Sequence, residues 1–247
     1  MAILACQPCL ASVLGPAALG AFGLSVAKKS KKTKKQKSRK FRVIKKKNRK
    51  VKNTIYNINE IFYSIQGEGA FTGTSAVFVR FAGCNMGCNF CDSKFAKAVN
   101  LRLTAKQILQ TISKYPTKTV TLTGGEPLEQ DILPLFSVLS KKRYNIHIES
   151  NGFKDIDTSL VYWLTISPKK KFNKKILKKA DELKIIINRQ TTDKQLKSLI
   201  NQTGKNTLIY IQPQDNKKEH INKCLKIISV NPQIKLSVQL HKMLNIK

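Results

Sequence analysis

Three cysteines in one short stretch constrain this chain more than any other feature of its sequence. They are spaced Cys84-x3-Cys88-x2-Cys91, and glycine and asparagine residues surround them. Glycine and asparagine favour loops, in which a backbone can fold around a compact centre. Thiolates at this density bind a soft metal, either zinc or an iron–sulfur cluster. The stretch therefore predicts a metal-binding loop, and three cysteines that hold no metal are the less favoured alternative.

The number of cysteines favours one of the two metals. A structural zinc site needs a fourth Cys or His, usually in a second paired knuckle. None follows here, because Cys224 stands alone and the first later histidine is His147. A cubane cluster held by three cysteines leaves one iron without a protein ligand. Because such an iron can bind a small molecule, the spacing favours an open iron–sulfur cluster.

Two motifs resemble those of one enzyme superfamily. The cysteine motif, with the aromatic Phe90 before its last cysteine, resembles the cluster motif of radical S-adenosylmethionine (radical SAM) enzymes. In these enzymes the open iron chelates S-adenosylmethionine, and reductive cleavage gives a 5′-deoxyadenosyl radical. The stretch Thr123-Gly124-Gly125-Glu126-Pro127 resembles the superfamily's Gly-Gly-Glu-Pro element, which holds the methionine end of the cofactor. The two motifs occur in the expected order, so each supports the other.

Charge divides the chain into two parts. The formal net charge is +32, residues 1–53 contain no acid, and residues 28–52 alone carry 16 Lys and Arg. We predict that residues 1–53 form an apolar leader followed by a disordered basic extension, and that residues 54–247 form the enzyme domain. For the leader, a membrane anchor, a targeting segment and a disordered extension remain open. We expect a cytoplasmic location, although the leader leaves organelle targeting and membrane anchoring open.

Short apolar runs alternate with helical patterns after residue 54, which is typical of a parallel α/β sheet. The apolar runs suggest strands that are buried on both faces. Candidate functional residues follow several strand ends, where barrel-like α/β enzymes bind ligands. We therefore predict an α/β fold: a partial TIM-like barrel of the radical SAM type with about six parallel strands. The predicted strands span residues 76–81, 119–123, 145–149, 162–167, 181–188, 208–212 and 234–240, and the predicted helices 104–115, 129–143, 193–203 and 217–230.

Further stretches narrow the resemblance to one family. From residue 55 onward the chain resembles 7-carboxy-7-deazaguanine synthases, which act in queuosine and other 7-deazapurine synthesis. The resemblance implies a carbon–nitrogen lyase that converts 6-carboxy-5,6,7,8-tetrahydropterin to 7-carboxy-7-deazaguanine and ammonia. It also implies a 4Fe–4S cluster, S-adenosylmethionine, Mg²⁺, a homodimer and a reductant such as flavodoxin or ferredoxin. The stretches are residues 60–69, 76–84, 91–93, 149–152, 167–169, 212–215 and 241–246.

The resemblance also implies roles for individual residues. Cys84, Cys88 and Cys91 would hold the cluster, and the Ser93 hydroxyl would bind Mg²⁺, which prefers oxygen ligands. Arg80 would offer a planar fork to the substrate carboxylate. The remaining substrate residues would be Ile65, Gln66, Gly67, Thr123 and Lys247, and the remaining cofactor residues Gly125, Ser167, Pro168, Lys169, Gln212, Pro213, Gln214 and Asp215.

Two features depart from the family pattern. The last residue is Lys247, where relatives often have proline, and we expect it to approach the substrate with an additional positive charge. His241 lies nearby, and both a structural and a catalytic role remain open for it. The extension of residues 1–53 is not explained by the resemblance. Two alternative functions therefore stay open: an enzyme that generates a glycyl radical on a partner protein, and an RNA-binding module with a structural metal loop.

Overall fold

The computed structural model describes residues 54–89, 91, 93–169 and 171–247. The predictions for residues 1–53, for Phe90 and for the domain boundary lie outside these ranges. Nine strands are found within them, and their bounds agree closely with most of the predicted ones. The strands are β1 (Ile55–Ile65), β2 (Ser75–Phe81), β3 (Leu101–Thr104), β4 (Thr119–Gly124), β5 (Asn145–Ser150), β6 (Trp163–Ile166), β7 (Glu182–Ile187), β8 (Leu208–Pro213) and β9 (Lys235–Leu236).

Six α-helices connect or flank these strands in the described part of the chain. None of the described helices is both long and apolar enough to cross a membrane. The helices are α1 (Ala105–Ile112), α2 (Leu133–Lys141), α3 (Lys174–Lys179), α4 (Asp193–Ile200), α5 (Lys218–Val230) and α6 (Leu240–Leu244), and single 3₁₀ turns span Gly69–Phe71, Lys94–Lys97, Pro127–Glu129 and Gln214–Asn216.

Two helices begin with reciprocal side-chain caps. The Thr104 hydroxyl accepts a hydrogen bond from the Gln107 amide, and the Gln107 side chain accepts one from the Thr104 amide at 2.8 Å. Thr192 and Gln195 repeat this capping box at the start of α4. Each box satisfies two backbone donors that a helix would otherwise leave unpaired. The helix predicted over residues 193–203 begins at Asp193, and the preceding Thr192 is its cap.

The strands form one open sheet. Their order is β3-β1-β2-β4-β5-β6-β7-β8-β9, and the strands from β2 through β9 in this order run parallel. β1 lies antiparallel between β2 and β3. The two edge strands are not paired with each other within the described residues, so the sheet is a partial barrel. Six of the parallel strands have four to seven residues, as predicted, and β9 has only two.

The central strands are buried on both faces, as predicted, but the two faces of the sheet differ in polarity. In β7, the leucine and isoleucines at positions 183, 185 and 187 belong to the hydrophobic core. Lys184 and Ile186, on the opposite face, line a cavity inside the barrel. Successive side chains of a strand point to opposite faces. The parallel sheet thus packs an apolar outer face against helices and encloses a largely polar interior.

Residues 66–74, between β1 and β2, close the edge of the barrel where the parallel strands begin. The amide of Ala70 donates to Glu182 Oε2 at 3.0 Å, and the amide of Gly69 donates to Ser237 Oγ at 3.0 Å. The Phe71 ring meets the edge of the His147 ring at a centroid distance of 4.5 Å. Burial lowers the pKa of His147 to about 4, so this ring is neutral at physiological pH. The loop therefore forms a floor beneath the cavity.

Three elements differ from the predictions. The last strand was expected over residues 234–240, but only Lys235–Leu236 pairs with β8, and α6 begins at Leu240. The helix α3 was not predicted, because its sequence is lysine-rich and only Ile176 and Leu177 are buried. The strand β3 was also missed. It pairs with the edge of β1, and its first two residues are exposed, so it lacks a continuous apolar run.

We predict that Leu122→Ala lowers the free energy of unfolding by about 2–5 kcal/mol, because Leu122 is a fully buried core residue of β4 and its truncation leaves a cavity. The measurement is urea denaturation of anaerobically purified protein. Leu225→Ala is the matched control, since the α5 side chain is 51% exposed and should change this quantity by less than about 0.5 kcal/mol. Equal effects of the two substitutions would contradict the assignment of the core.

Candidate active site

A cavity of about 570 Å³ opens at the edge of the sheet where the parallel strands end. Its wall includes residues that directly follow the ends of strands, such as Cys84 after β2, Gly125 after β4 and Asn151 after β5. The carboxyl ends of parallel strands meet at one edge, which is where α/β barrels bind ligands. The prediction of a ligand site at this edge therefore corresponds to a real cavity.

Almost all site residues predicted from the sequence line this one cavity. The exceptions are Pro168 and Pro213, which are neighbours of lining residues but do not line the cavity themselves. The candidates that the structure brings together are Ile65, Gln66, Gly67, Arg80, Cys84, Cys88, Cys91, Ser93, Thr123, Gly125, Ser167, Lys169, Gln212, Gln214, Asp215 and Lys247.

The cysteine loop is closed at its base and fastened to the end of β5. The amide of Gly83 donates to the carbonyl of Ala96 at 3.0 Å, and the side chain of Asn151 donates to Asn85 Oδ1 at 2.9 Å. Burial raises the pKa of the Cys84 thiol, while a hydrogen bond from the Met86 amide to its sulfur opposes the rise. The loop is thus held in place at its entry and near its centre.

The donor set of this loop fits an iron–sulfur cluster with one open iron. All three thiols line the same cavity. Among the described residues, no three His, Cys, Asp or Glu side chains are already gathered around a point that could hold an ion. Soft thiolates in a loop of this kind are the ligands of iron–sulfur centres. The three thiols are therefore the candidate ligands of such a cluster.

The Gly-Gly turn after β4 lies directly against the entrance to the cysteine loop. The amide of Gly125 donates to the Phe81 carbonyl at 3.0 Å, and the amide of Glu126 donates to the Gly83 carbonyl at 2.8 Å. A Cβ atom added to Gly125 would lie 1.8 Å from the Gly83 oxygen. Only glycine permits so close an approach of two backbones. The turn and the loop are therefore packed as one unit.

Glu126, the acidic residue of the same motif, connects this unit to the end of β5. It is 2% exposed and accepts hydrogen bonds from the Ser150 hydroxyl and the Asn151 amide, both at 2.7 Å. The Leu128 amide donates a third bond at 3.1 Å. Burial raises the pKa of Glu126, and these three bonds counteract part of the rise. Glu126 therefore fixes three successive strand ends relative to each other.

Glu149 presents a carboxylate to the interior of the barrel. It lies in β5, where the Gln66 amide group donates to Oε1 at 2.8 Å and the Thr123 hydroxyl donates to Oε2 at 3.2 Å. Gln66 and Thr123 are two of the predicted substrate residues. Glu149 belongs to the family-like stretch of residues 149–152, but no role was predicted for it. Since all three residues line the cavity, they form one polar patch on its wall.

A buried ion pair lies deeper in the barrel. The ammonium of Lys184, with a side chain that is 7% exposed, contacts Glu68 Oε2. The side-chain amides of Gln212 and Gln239 both donate to Glu68 Oε1 at 3.1 Å. Burial lowers the pKa of Lys184, but the nearby carboxylates of Glu68, Glu149 and Glu182 outweigh this effect and raise it. Lys184 is therefore a charged cation inside the cavity wall.

Several cavity residues had no predicted role, among them Glu149, Lys184 and Gln239, and the role of His241 was left open. Lys184 had a usable signal, because a charged residue alternates there with the apolar residues of β7. His241 lies so close to the floor loop that a Cβ added to Gly67 would be 2.3 Å from its Nδ1. That contact joins residues far apart in sequence, so no local pattern predicts it.

Comparisons with known proteins agree on one family. Residues 78–160 match the sequence model of the radical SAM superfamily. The 7-carboxy-7-deazaguanine synthase of Buchnera aphidicola subsp. Schizaphis graminum is 34% identical, and the match covers 78% of this chain and 99% of that protein. The synthase of Escherichia coli (strain K12) is 31% identical, with coverage of 77% and 99%. The crystal structure of QueE from Escherichia coli matches with a TM-score of 0.68 at 29% identity, and covers 76% of this chain and 95% of that chain.

We predict that Gly125→Ala destabilises the protein by roughly 1–3 kcal/mol, because the new methyl group would overlap the Gly83 carbonyl and force the two backbones apart. It should also lower the iron content per chain, since the displaced turn supports the cysteine loop. Urea denaturation and iron analysis of anaerobic preparations measure both effects.

Gly87→Ala is the matched control for this prediction. It makes the same substitution on the wall of the same cavity, but nothing lies within 4 Å of the added Cβ. An unfolding free energy of Gly125→Ala equal to that of Gly87→Ala would show that the close approach of the two backbones is unimportant.

Proposed function

This chain belongs to the 7-carboxy-7-deazaguanine synthase family, and from that premise we propose how its residues divide the work of the reaction. The enzyme is a radical SAM lyase that converts 6-carboxy-5,6,7,8-tetrahydropterin to 7-carboxy-7-deazaguanine and ammonia. One observation supports assigning the reaction to particular residues: the cysteine loop, the Gly-Gly turn and the Glu149 patch all face a single cavity. Relatives matched over nearly their whole length favour this activity over glycyl-radical generation and over an RNA-binding module.

Cys84, Cys88 and Cys91 would hold the 4Fe–4S cluster at the mouth of the cavity. When bound, the cluster and S-adenosylmethionine would supply the radical that removes a hydrogen atom from C6 of the substrate. Gly125 lines the cavity beside the cysteine loop, which suits contact with the methionine end of the cofactor. Lys169 donates to the Ser167 hydroxyl at 2.9 Å and so places two polar groups along the cofactor cleft. Pro168 and Pro213 would contribute by shaping the backbone of the cofactor residues next to them.

The remaining cofactor residues follow β8. Gln214 is held by a hydrogen bond from the Asn188 side chain at 3.3 Å, and its carbonyl lies 2.9 Å from His220 Nδ1. Asp215 adopts a left-handed conformation with φ of 55°, which turns the chain sharply after the strand. We assign Gln212, Gln214 and Asp215 to the adenosine part of the cofactor, because they line the cavity on the side away from Arg80's strand.

The pterin would bind between the Glu149 patch and the floor loop. Its pyrimidine ring carries N–H donors, and Glu149 has acceptor capacity beyond the two hydrogen bonds from Gln66 and Thr123. Gly67 and Ile65 bring backbone close to the flat ring, and Arg80 offers its guanidinium to the carboxylate. This arrangement holds the substrate in one orientation while the cavity wall limits access of water to the reacting carbon.

We further propose that the enzyme is a homodimer, that a flavodoxin- or ferredoxin-like protein reduces it, and that it works in the cytoplasm. The family resemblance supports the first two statements. The location depends on residues 1–53, which lie outside the described ranges. Contact of that basic segment with nucleic acid or a membrane stays a prediction.

The decisive experiment is a turnover assay. Reconstituted and reduced protein, incubated anaerobically with the carboxylated tetrahydropterin, S-adenosylmethionine and Mg²⁺, should form 7-carboxy-7-deazaguanine, detected by mass spectrometry. Cys88→Ala should lose both the product and the brown absorbance of the cluster, because two sulfurs cannot retain it. Cys224→Ala is the matched control: this thiol is buried in α5, away from the loop, and the variant should keep its iron. Absence of product from the parent chain would reject the proposed function.

Ser93 should be tested separately as a ligand of Mg²⁺. We expect Ser93→Ala to reduce the stimulation of turnover by Mg²⁺ about tenfold, the scale of a lost metal contact. Its cluster absorbance should stay at the parent level, since no cysteine is changed. The measurement is a titration of the initial rate with Mg²⁺, and an unchanged half-saturating concentration would exclude Ser93 as a ligand.

A further inference from the structure

One carboxylate holds two cations at the side of the cavity formed by β1 and β2. Glu60 Oε1 accepts a hydrogen bond from Arg80 Nε at 3.0 Å, and Oε2 accepts one from Lys247 Nζ at 2.6 Å. Glu60 and Arg80 are also paired across the two strands. Because the two oxygens of Glu60 are used by different partners, Glu60 fixes the distance between the guanidinium and the ammonium.

An aromatic ring supports the two cations from another side. The guanidinium carbon of Arg80 lies 5.6 Å from the centroid of the Phe62 ring, and Lys247 Nζ lies 5.2 Å from it. The ring itself is stacked on Phe78 at 5.1 Å. A cation near an aromatic face gains electrostatic attraction. Arg80 and Lys247 are therefore placed by the sheet before any ligand arrives.

The main chain of Lys247 is anchored as well. The Ser64 hydroxyl donates to the backbone oxygen of Lys247 at 2.5 Å. Further along the same segment, the amide of Leu240 donates to the carbonyl of Gly67 at 2.9 Å. These contacts attach α6 and the residues after it to β1 and to the floor loop. Lys247 consequently reaches the cavity as part of a held segment.

The two cations face the main cavity, whereas their shared carboxylate does not. Arg80 and Lys247 line both the cavity of about 570 Å³ and an adjoining cavity of about 300 Å³, whereas Glu60 lines only the smaller one. Burial raises the pKa of Glu60, and the hydrogen bonds from Lys247 and Arg80 outweigh this and lower it. One negative side chain thus faces two positive ones, and the excess positive charge borders the main cavity.

We propose that Lys247 is a specificity-determining residue and that Glu60 is a positioning residue. Glu60 holds the Lys247 ammonium beside the Arg80 guanidinium so that the pair, rather than Arg80 alone, binds the carboxylate of the substrate. The inference rests on the proposed function, since it takes a 6-carboxylated tetrahydropterin as the ligand. It adds a second cation, and the group that aims it, to the recognition of that carboxylate.

The test compares two ligands that differ only in charge at one position. Dissociation constants are measured anaerobically, without reductant, for 6-carboxytetrahydropterin and for its uncharged 6-carboxamide, using the cluster-loaded protein with S-adenosylmethionine. In Lys247→Gln the preference for the acid over the amide should fall about three- to tenfold, the scale of one partly exposed ion pair. Affinity for the amide and iron per chain should stay within about twofold of the parent.

Lys226→Gln is the matched control, because it removes the same charge from an exposed position on α5. Its preference for the acid should equal that of the parent. The role of Glu60 is tested by repeating the Lys247→Gln change in a Glu60→Gln background. If Glu60 aims the ammonium, the lysine substitution should then alter the preference by less than about twofold, because the two residues act as a unit.

Three results would overturn the inference. The first is a preference for the acid over the amide in Lys247→Gln that equals that of the parent. The second is an equal loss of affinity for the acid and for the amide. The third is an effect of Lys247→Gln on the preference that is the same with and without Glu60. In each of these cases the parent chain still forms 7-carboxy-7-deazaguanine, so the proposed function stands. A parent chain that forms no product overturns both, and the turnover assay distinguishes the two kinds of failure.

Discussion

A sheet that encloses a polar interior is stable only if each buried charge finds a partner there. Burying an unpaired ion costs several kcal/mol, whereas paired and hydrogen-bonded ions are tolerated. Lys184 meets this requirement through Glu68, whose other oxygen accepts from Gln212 and Gln239. Glu68 comes from the floor loop, so the loop that closes the barrel also supplies the counter-charge. The loop that closes the barrel therefore also neutralises the buried charge of Lys184.

A second constraint works at the other edge of the barrel. Gly125 and Gly83 approach each other through backbone alone, and Glu126 extends the contact to the end of β5. No flexible side chain lies between the two backbones at the Gly125–Gly83 contact. A shift of β4 would therefore be transmitted directly to the cysteine loop. Rigid placement of this kind suits a site in which a short-lived radical has to meet one hydrogen atom.

The sequence allowed prediction of features that depend on local chemistry. Strand positions follow from short apolar runs, the cysteine loop from its spacing, and the start of α1 from the helical pattern of residues 104–115. The family motifs then placed most candidate residues, and nearly all of these line one cavity. The features that could not be predicted are long-range contacts. They are the strand faces that turn inward, the pairing of Lys184 with Glu68, and the contact of His241 with Gly67. Each depends on how distant segments meet, and neither propensity nor periodicity encodes that.

Prediction also failed where elements are short or exposed. The helix α3 buries only two side chains, and β9 forms two residues of ladder, so neither leaves a strong pattern in the sequence. Their stability comes from neighbours that the sheet brings to them rather than from their own residues. The strand edge at β9 is thus a result of the fold more than of its local composition.

The floor formed by residues 66–74 affects how ligands enter and leave the cavity. Since this floor closes one end of the barrel, a molecule seated against it exchanges through the opposite rim or through the side left open between the edge strands. The cysteine loop and the Gly-Gly turn stand on that rim. An occupant near the rim therefore obstructs one of the routes by which a deeper molecule leaves.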